Sequence, residues 1–146
     1  LAVCTVALAA CASPSTGAGP SASTPTMPGA SSSLIDNGWV GRDLLGAPLA
    51  DGSRLSLRFG ANGRLAASAG CNRLSAAYRL EGDQLQVVPP MISTRMACPA
   101  PLAEQESRFL AFLGSVTRHA VDAAGRLVLT TAAGDAQRFD PEPAPR

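Results

Sequence analysis

Two short runs hold the residues best suited to chemistry: Gly70-Cys71-Asn72-Arg73 and Ser93-Thr94-Arg95-Met96-Ala97-Cys98. The thiols of Cys71 and Cys98 admit three readings: a structural disulfide, two buried reduced cysteines, or a redox or metal pair. The chain has no Cys-x-x-Cys, and a metal would need more ligands than two cysteines and His119, the only histidine. No metal or other cofactor is therefore expected. His119 lacks a Ser or Cys nucleophile in a recognisable motif, so it reads as an exposed residue at a strand start. Asp36, Asp43, Asp51, Glu81, Asp83, Asp122, Asp135 and Asp140 fall mostly in turns and loops, where carboxylates solvate the chain rather than work as an acid–base pair. No glycine loop suited to cradling phosphate is present. The expectation is a protein that is not an enzyme.

Asn72 and Arg73 are the more informative polar pair. After Gly70-Cys71, an asparagine can bond its own backbone and tolerate an unusual φ, which is a structural role. The competing reading makes Arg73 and Arg95 a small basic mouth that receives an anionic group, so Asn72, Arg73 and Arg95 form the candidate binding surface. Trp39 and Tyr78 read as core or barrel-end caps rather than ligand platforms.

These residues must be positioned by a small domain. No charged residue precedes Asp36, and the formal net charge is +1, so no broad basic field suits nucleic acid. The 46% apolar content is rich in alanine, which predicts a lean core that gains from a covalent staple. From Leu34 to Asp140 alternation dominates. Trp39 heads a strand that runs toward Leu44 and Leu45, and Leu55, Leu57 and Phe59 alternate with polar residues. Asn62-Gly63 predicts a two-residue hairpin turn with positive φ at both positions. Leu74 to Leu80 and Leu85 to Val88 are further strands around a Gly82-Asp83 turn, and Pro89-Pro90 is expected to stop the second. Pro101 suits the start of a helix whose buried stripe is Phe109, Leu110, Phe112, Leu113 and Val116, with Glu104 and Glu106 at its positive end. Strands resume around Ala120-Val121, Leu127–Leu129 and Gln137–Phe139. The fold class is mainly β (α+β): a small antiparallel barrel-like sheet of about eight strands with one helix packed across it.

The N-terminal part reads differently. Residues 1–10 are apolar and resemble the end of a signal peptide, and Leu8-Ala9-Ala10-Cys11 resembles a lipobox. The competing reading is a plain signal peptide with a small-residue cleavage site; the position after the apolar run and the linker that follows favour the lipobox, so Cys11 is the expected lipidation site, and multiple acyl chains suffice for stable anchoring. Residues 11–33 are Ser, Thr, Pro, Gly and Ala, a composition that predicts a disordered linker reaching roughly 25–30 Å. Pro141 to Arg146 reads as a loose tail. A lipoprotein faces an oxidising compartment, which favours the Cys71–Cys98 disulfide among the three readings.

Asn62-Gly63-Arg64-Leu65, Gly70-Cys71-Asn72-Arg73, Tyr78, Thr94-Arg95-Met96-Ala97-Cys98, Glu106 and Phe109-Leu110 occur in an order and spacing that resemble the META domain, the family of HslJ-like envelope lipoproteins. The resemblance spans about Trp39 to Phe139. Ala67 and Ala76 depart from it, standing where glycine is expected. The resemblance implies a small antiparallel barrel crossed by a helix, similar to the cracked barrels of secretion-system pilot lipoproteins that bind lipid or an outer-membrane partner. It also implies an association with heat shock, stress resistance or secretion, without a defined reaction. The expected function is a monomeric, non-enzymatic lipoprotein, anchored in the outer membrane and facing the periplasm, whose domain binds an envelope protein or an amphiphile. The alternative is a lipocalin-like carrier of an apolar ligand inside the barrel; a filled interior argues for the first and an apolar cavity for the second.

Overall fold

A computed structural model describes residues 34–143. The lipobox, Cys11 and the linker lie outside the described residues. The strands are β1 (Gly38–Gly41), β2 (Asp43–Leu44), β3 (Ala47–Pro48), β4 (Leu55–Phe59), β5 (Arg64–Ser68), β6 (Arg73–Glu81) and β7 (Gln84–Ser93). Helix α1 (Ala100–Ser115) follows, then β8 (Val116–Val121), β9 (Leu127–Thr131) and β10 (Ala136–Pro141). Eight strands close into a barrel in the order β1-β10-β9-β8-β7-β6-β5-β4, and β2 and β3 form a separate ribbon. Every named pairing is antiparallel, and β1 completes the ring by pairing with both β4 and β10. The expected barrel with a helix between its fifth and sixth strands is what forms.

Period-two patterning drives it. On β4, Leu55, Leu57 and Phe59 point inward while Arg58 points out, and β5, β6, β9 and β10 alternate likewise. Their inward residues form one cluster with Trp39, Tyr78 and Leu85. The helix adds Phe109, Phe112 and Leu113 to it, with the Phe109 and Phe139 rings 6.4 Å apart. Phe59 and Tyr78 stack edge to face at 5.1 Å. Tyr78 donates its hydroxyl to the Gly60 carbonyl (2.7 Å), and the Trp39 indole donates to the Leu34 carbonyl (3.2 Å). Both aromatics are thus core groups with a satisfied polar tip. Ala67 and Ala76 are also inward-facing core positions on β5 and β6.

Four local expectations change. Pro89-Pro90 does not stop β7, which continues to Ser93. Val88 pairs with Ala77 and Ile92 with Ser75, so Pro89, Pro90 and Met91 all face Ala76 across a bulge. A bulge leaves residues out of the ladder, where the missing proline N–H costs nothing. The β4–β5 connection is a longer loop: Gly60 N–H donates to Arg64 O (2.9 Å), Gly63 N–H donates to Gly60 O (3.1 Å), and of Asn62-Gly63 only Gly63 has positive φ. Val116, expected in the helical stripe, is buried as the first residue of β8 because the chain turns extended there. Pro101 lies in the first turn, where its absent N–H would be unpaired anyway. At the other end Pro141 closes β10 rather than opening a tail, and Glu142 N–H donates to Gly38 O (2.7 Å).

The seam between β7 and β8 is the weakest part of the ring. Only Gln84 and Arg118 pair across it. The chain leaves β7, forms α1, and returns as β8, so the helix occupies the side where the two strands diverge.

Candidate functional site

The site grows from the corner between β5 and β6. Gly70 adopts φ +105°, and a Cβ there would meet the Ser53 Cβ at 2.8 Å, so only glycine makes this bend. Ser68 Oγ accepts from the Gly70 N–H (3.2 Å) and donates to the Asn72 carbonyl (2.9 Å), fixing the corner. The bend aims Cys71 at Cys98, and the two are joined in a disulfide with Cα atoms 6.1 Å apart. The positive φ belongs to Gly70, not to Asn72.

Asn72 is buried, which removes it from the expected binding surface. Its side chain does not bond its own backbone either. Oδ1 accepts from the Thr94 hydroxyl (2.9 Å) and the Met96 N–H (2.8 Å). Nδ2 donates to Glu106 Oε1 (3.0 Å) and approaches Cys98 Sγ (3.3 Å), while the Asn72 N–H donates to Glu106 Oε2 (3.1 Å). Ser93 Oγ adds a donor to Glu106 Oε1 (3.3 Å). One buried amide therefore locks three pieces together: the start of β6, the loop after β7 and the first half of α1. Thr94 extends the β6–β7 ladder, since its N–H donates to Arg73 O (3.0 Å) and its hydroxyl accepts from the Arg73 N–H (3.1 Å).

Glu106 was expected at the helix's positive end; it turns inward to Asn72 instead, and no acidic residue occupies the first turn. Gln105 does the same on the neighbouring face. Its Nε2 donates to Ala69 O (2.7 Å) and Ser53 Oγ (3.0 Å), and its Oε1 accepts from the Ala50 N–H (2.8 Å). Sequence reasoning missed both as anchors. The signal was present, because Gln105 and Glu106 continue the Phe109, Phe112, Leu113 stripe at helical spacing.

Arg73 and Arg95 remain on the surface of this corner, with the exposed Met96 beside them. Neither guanidinium takes part in the ion pairs found among the described residues. Their proximity follows from the backbone pairing of Arg73 with Thr94.

His119 departs furthest from its expected place. It is buried on β8 at 3% exposure, not exposed at a strand start. Gly82 O can only accept, so His119 Nε2 donates to it (2.9 Å), while Nδ1 has no partner. The His119 N–H donates to Asp83 O (2.9 Å). Both bonds clasp the β6–β7 turn to β8 and hold the seam closed. Beside that seam lies a cleft of about 370 Å3 bordered by Arg79, Gln86, Ser115 and Thr117.

A family model described as the META domain matches residues 32–144. Among solved structures, the NMR structure of a protein from Burkholderia xenovorans is 27% identical, covers 76% of this chain and 85% of its own, and superposes with a TM-score of 0.62. A second NMR structure is 23% identical over 75% of this chain and 92% of its own, with a TM-score of 0.59, and bears on the fold alone. No curated protein matches this chain.

Proposed function

This chain belongs to the META-domain family, and we propose that it is a non-enzymatic lipoprotein of the bacterial envelope that binds a partner protein or an amphiphile through the outside of its barrel. Cys11 carries the lipid, the 11–33 segment is the tether, and the outer membrane's periplasmic side is the working place. The observation that carries the reading is the filled interior. Phe59, Phe139, Leu55, Leu65, Leu127 and Leu129 occupy the inside of the barrel and are almost wholly inaccessible. A lipocalin-like carrier needs a few hundred Å3 of apolar space there. The ring of His119 is committed to a backbone carbonyl rather than to a nucleophile, which supports a non-catalytic role.

The test is crosslinking in intact envelopes, with a complete leader supplied. The lipidated protein is expected in the membrane fraction with a reproducible crosslinked species; Cys11→Ala is expected in the soluble fraction without it. Parent and variant both soluble, or an apolar ligand extracted in stoichiometric amount from the purified barrel, would overturn the reading.

A further inference from the structure

The net charge conceals a strong asymmetry. Residues 52–103 hold Arg54, Arg58, Arg64, Arg73, Arg79 and Arg95 against Glu81 and Asp83. Elsewhere carboxylates outnumber arginines. The fold turns this stretch into one wall, the outer face of β4, β5, β6 and β7. Register fixes the layout. Arg58, Ala66, Ser75 and Ile92 form one cross-strand row; Ser68 and Arg73 flank it on one side, and Arg64, Ala77 and Val88 on the other. Neighbours in such rows lie about 5 Å apart and diagonal ones about 7–8 Å. Arg79 and Gln86 form the next row.

Charge and exposed apolar groups together mark this wall. Off it, Arg42 pairs with Asp140, Arg118 with Asp83 and Arg126 with Asp122, while Arg108 and Arg138 are in none of the ion pairs among the described residues; at its β4 edge Arg54 and Arg58 meet Glu142 at 3.6 and 3.7 Å. Arg64, Arg73, Arg79 and Arg95 take part in no ion pair among those the described residues form. The wall also carries exposed apolar side chains, Ile92 at 60% and Met96 at 63%, beside Arg73 and Arg95. All six aromatic residues are buried in the core, so the wall offers nothing on which a base could stack.

We propose that the β4–β7 wall docks on an anionic phospholipid surface, with Arg64, Arg73, Arg79 and Arg95 on headgroup phosphates and Ile92 and Met96 dipping between the headgroups. The proposal rests on the surface-binder reading above and names its amphiphile. Guanidinium forks match phosphate oxygens, and arginine is less strongly hydrated than lysine; this chain has no lysine, so all 12 of its Lys and Arg positions are arginine. The cations are spread over a convex wall rather than converging on one point. That spacing suits a surface of mobile charges better than the fixed carboxylates of an acidic protein, which would need matched positions.

The test is flotation of the full chain carrying Cys11→Ser, which cannot be acylated. Vesicles of phosphatidylcholine alone are compared with vesicles containing phosphatidylglycerol, and the neutral vesicles report whatever the N-terminal apolar residues contribute. Binding is expected only with the anionic lipid and should weaken with added salt. Each arginine near an anionic surface is worth about fivefold, so Arg73→Gln with Arg95→Gln should weaken binding by roughly 30-fold. Ile92→Ser with Met96→Ser should weaken it too, whereas Arg108→Gln with Arg138→Gln, off the wall, should not. Equal binding to neutral vesicles, or an unaffected Arg73/Arg95 pair, overturns the proposal. If vesicles fail but the same pair abolishes an envelope crosslink to an acidic protein, the lipid assignment falls and the surface-binder reading stands. Failure of both experiments removes both.

Discussion

Asn72→Ala is the sharpest probe of how this fold is held. The substitution deletes the acceptor for Thr94 Oγ1 and Met96 N–H and the donor to Glu106 Oε1, bonds of 2.9, 2.8 and 3.0 Å. Two neutral bonds are each worth about 1 kcal/mol and one to a carboxyl about 1.5–3 kcal/mol. Thr94 and Met96 are near water and recover part of their loss, but Glu106 is buried and keeps only Ser93 Oγ on that oxygen. The expected cost is therefore about 3 kcal/mol, or roughly 10 °C in Tm for a domain of this size. Urea unfolding with the disulfide intact measures it. Asn72→Asp sharpens the test: it preserves shape and Oδ1 but sets a carboxyl oxygen against Glu106 Oε1. It should destabilise at least as much at neutral pH and partly recover in acid, as one of two facing carboxyls takes a proton. A loss below about 0.5 kcal/mol for Asn72→Ala would show that α1 is held by its apolar stripe alone and that the buried network contributes nothing.

Four other perturbations test separate parts of the structure. Reducing Cys71–Cys98, which spans 27 residues, should lower stability by about 3.5 kcal/mol through loop entropy; unfolding with and without reductant checks it, and free thiols in protein purified without reductant would sink the bond itself. Phe109→Ala, at a wholly buried position against Phe139, should cost about 3–5 kcal/mol by urea unfolding. His119→Ala should cost about 2–3 kcal/mol by losing the clasp to Gly82 and leaving a void, whereas His119→Leu refills the space, discards the unpartnered Nδ1 and should recover most of that on the same assay. Burial, and secondarily the charge of Asp36, raises the Tyr78 pKa above its ordinary value. A folded value above the unfolded one means a contribution complete below about pH 10 and lost as pH rises through the folded pKa, so Tyr78→Phe should flatten the alkaline limb of the stability curve; parallel curves would refute this.

What could be read in advance follows from how local each cause is. Alternation on β4, β6 and β9 and the Phe109–Leu113 stripe are set by side chains a few residues apart, and those elements were legible. Pro89-Pro90 misled because proline forbids a ladder bond, not a strand, and whether a bulge accommodates it depends on Ala76 of the partner strand. His119 misled for a related reason: its burial depends on the inward phase of β8, which is set after a register shift against β9, and on a carbonyl 37 positions away. Asn72 and Glu106 lie 34 positions apart, and no local rule joins them, although the polar pair inside an apolar stripe hinted that α1 had something buried to bond. The surface charge followed the opposite logic. A net charge near zero excluded a basic field for the whole chain, but charge is a property of faces. Consecutive antiparallel strands place residues 55–93 side by side, so a stretch poor in carboxylates becomes a wall poor in carboxylates. Topology, not composition, creates that field. It also leaves the disulfide corner at one end of the wall, where the buried Asn72 network holds the Arg73 and Thr94 backbones rigid beneath the exposed guanidiniums of Arg73 and Arg95. A surface whose cations are carried on a fixed frame loses less backbone freedom when it meets a charged partner, so the network that stabilises the fold also pre-organises the face proposed to bind.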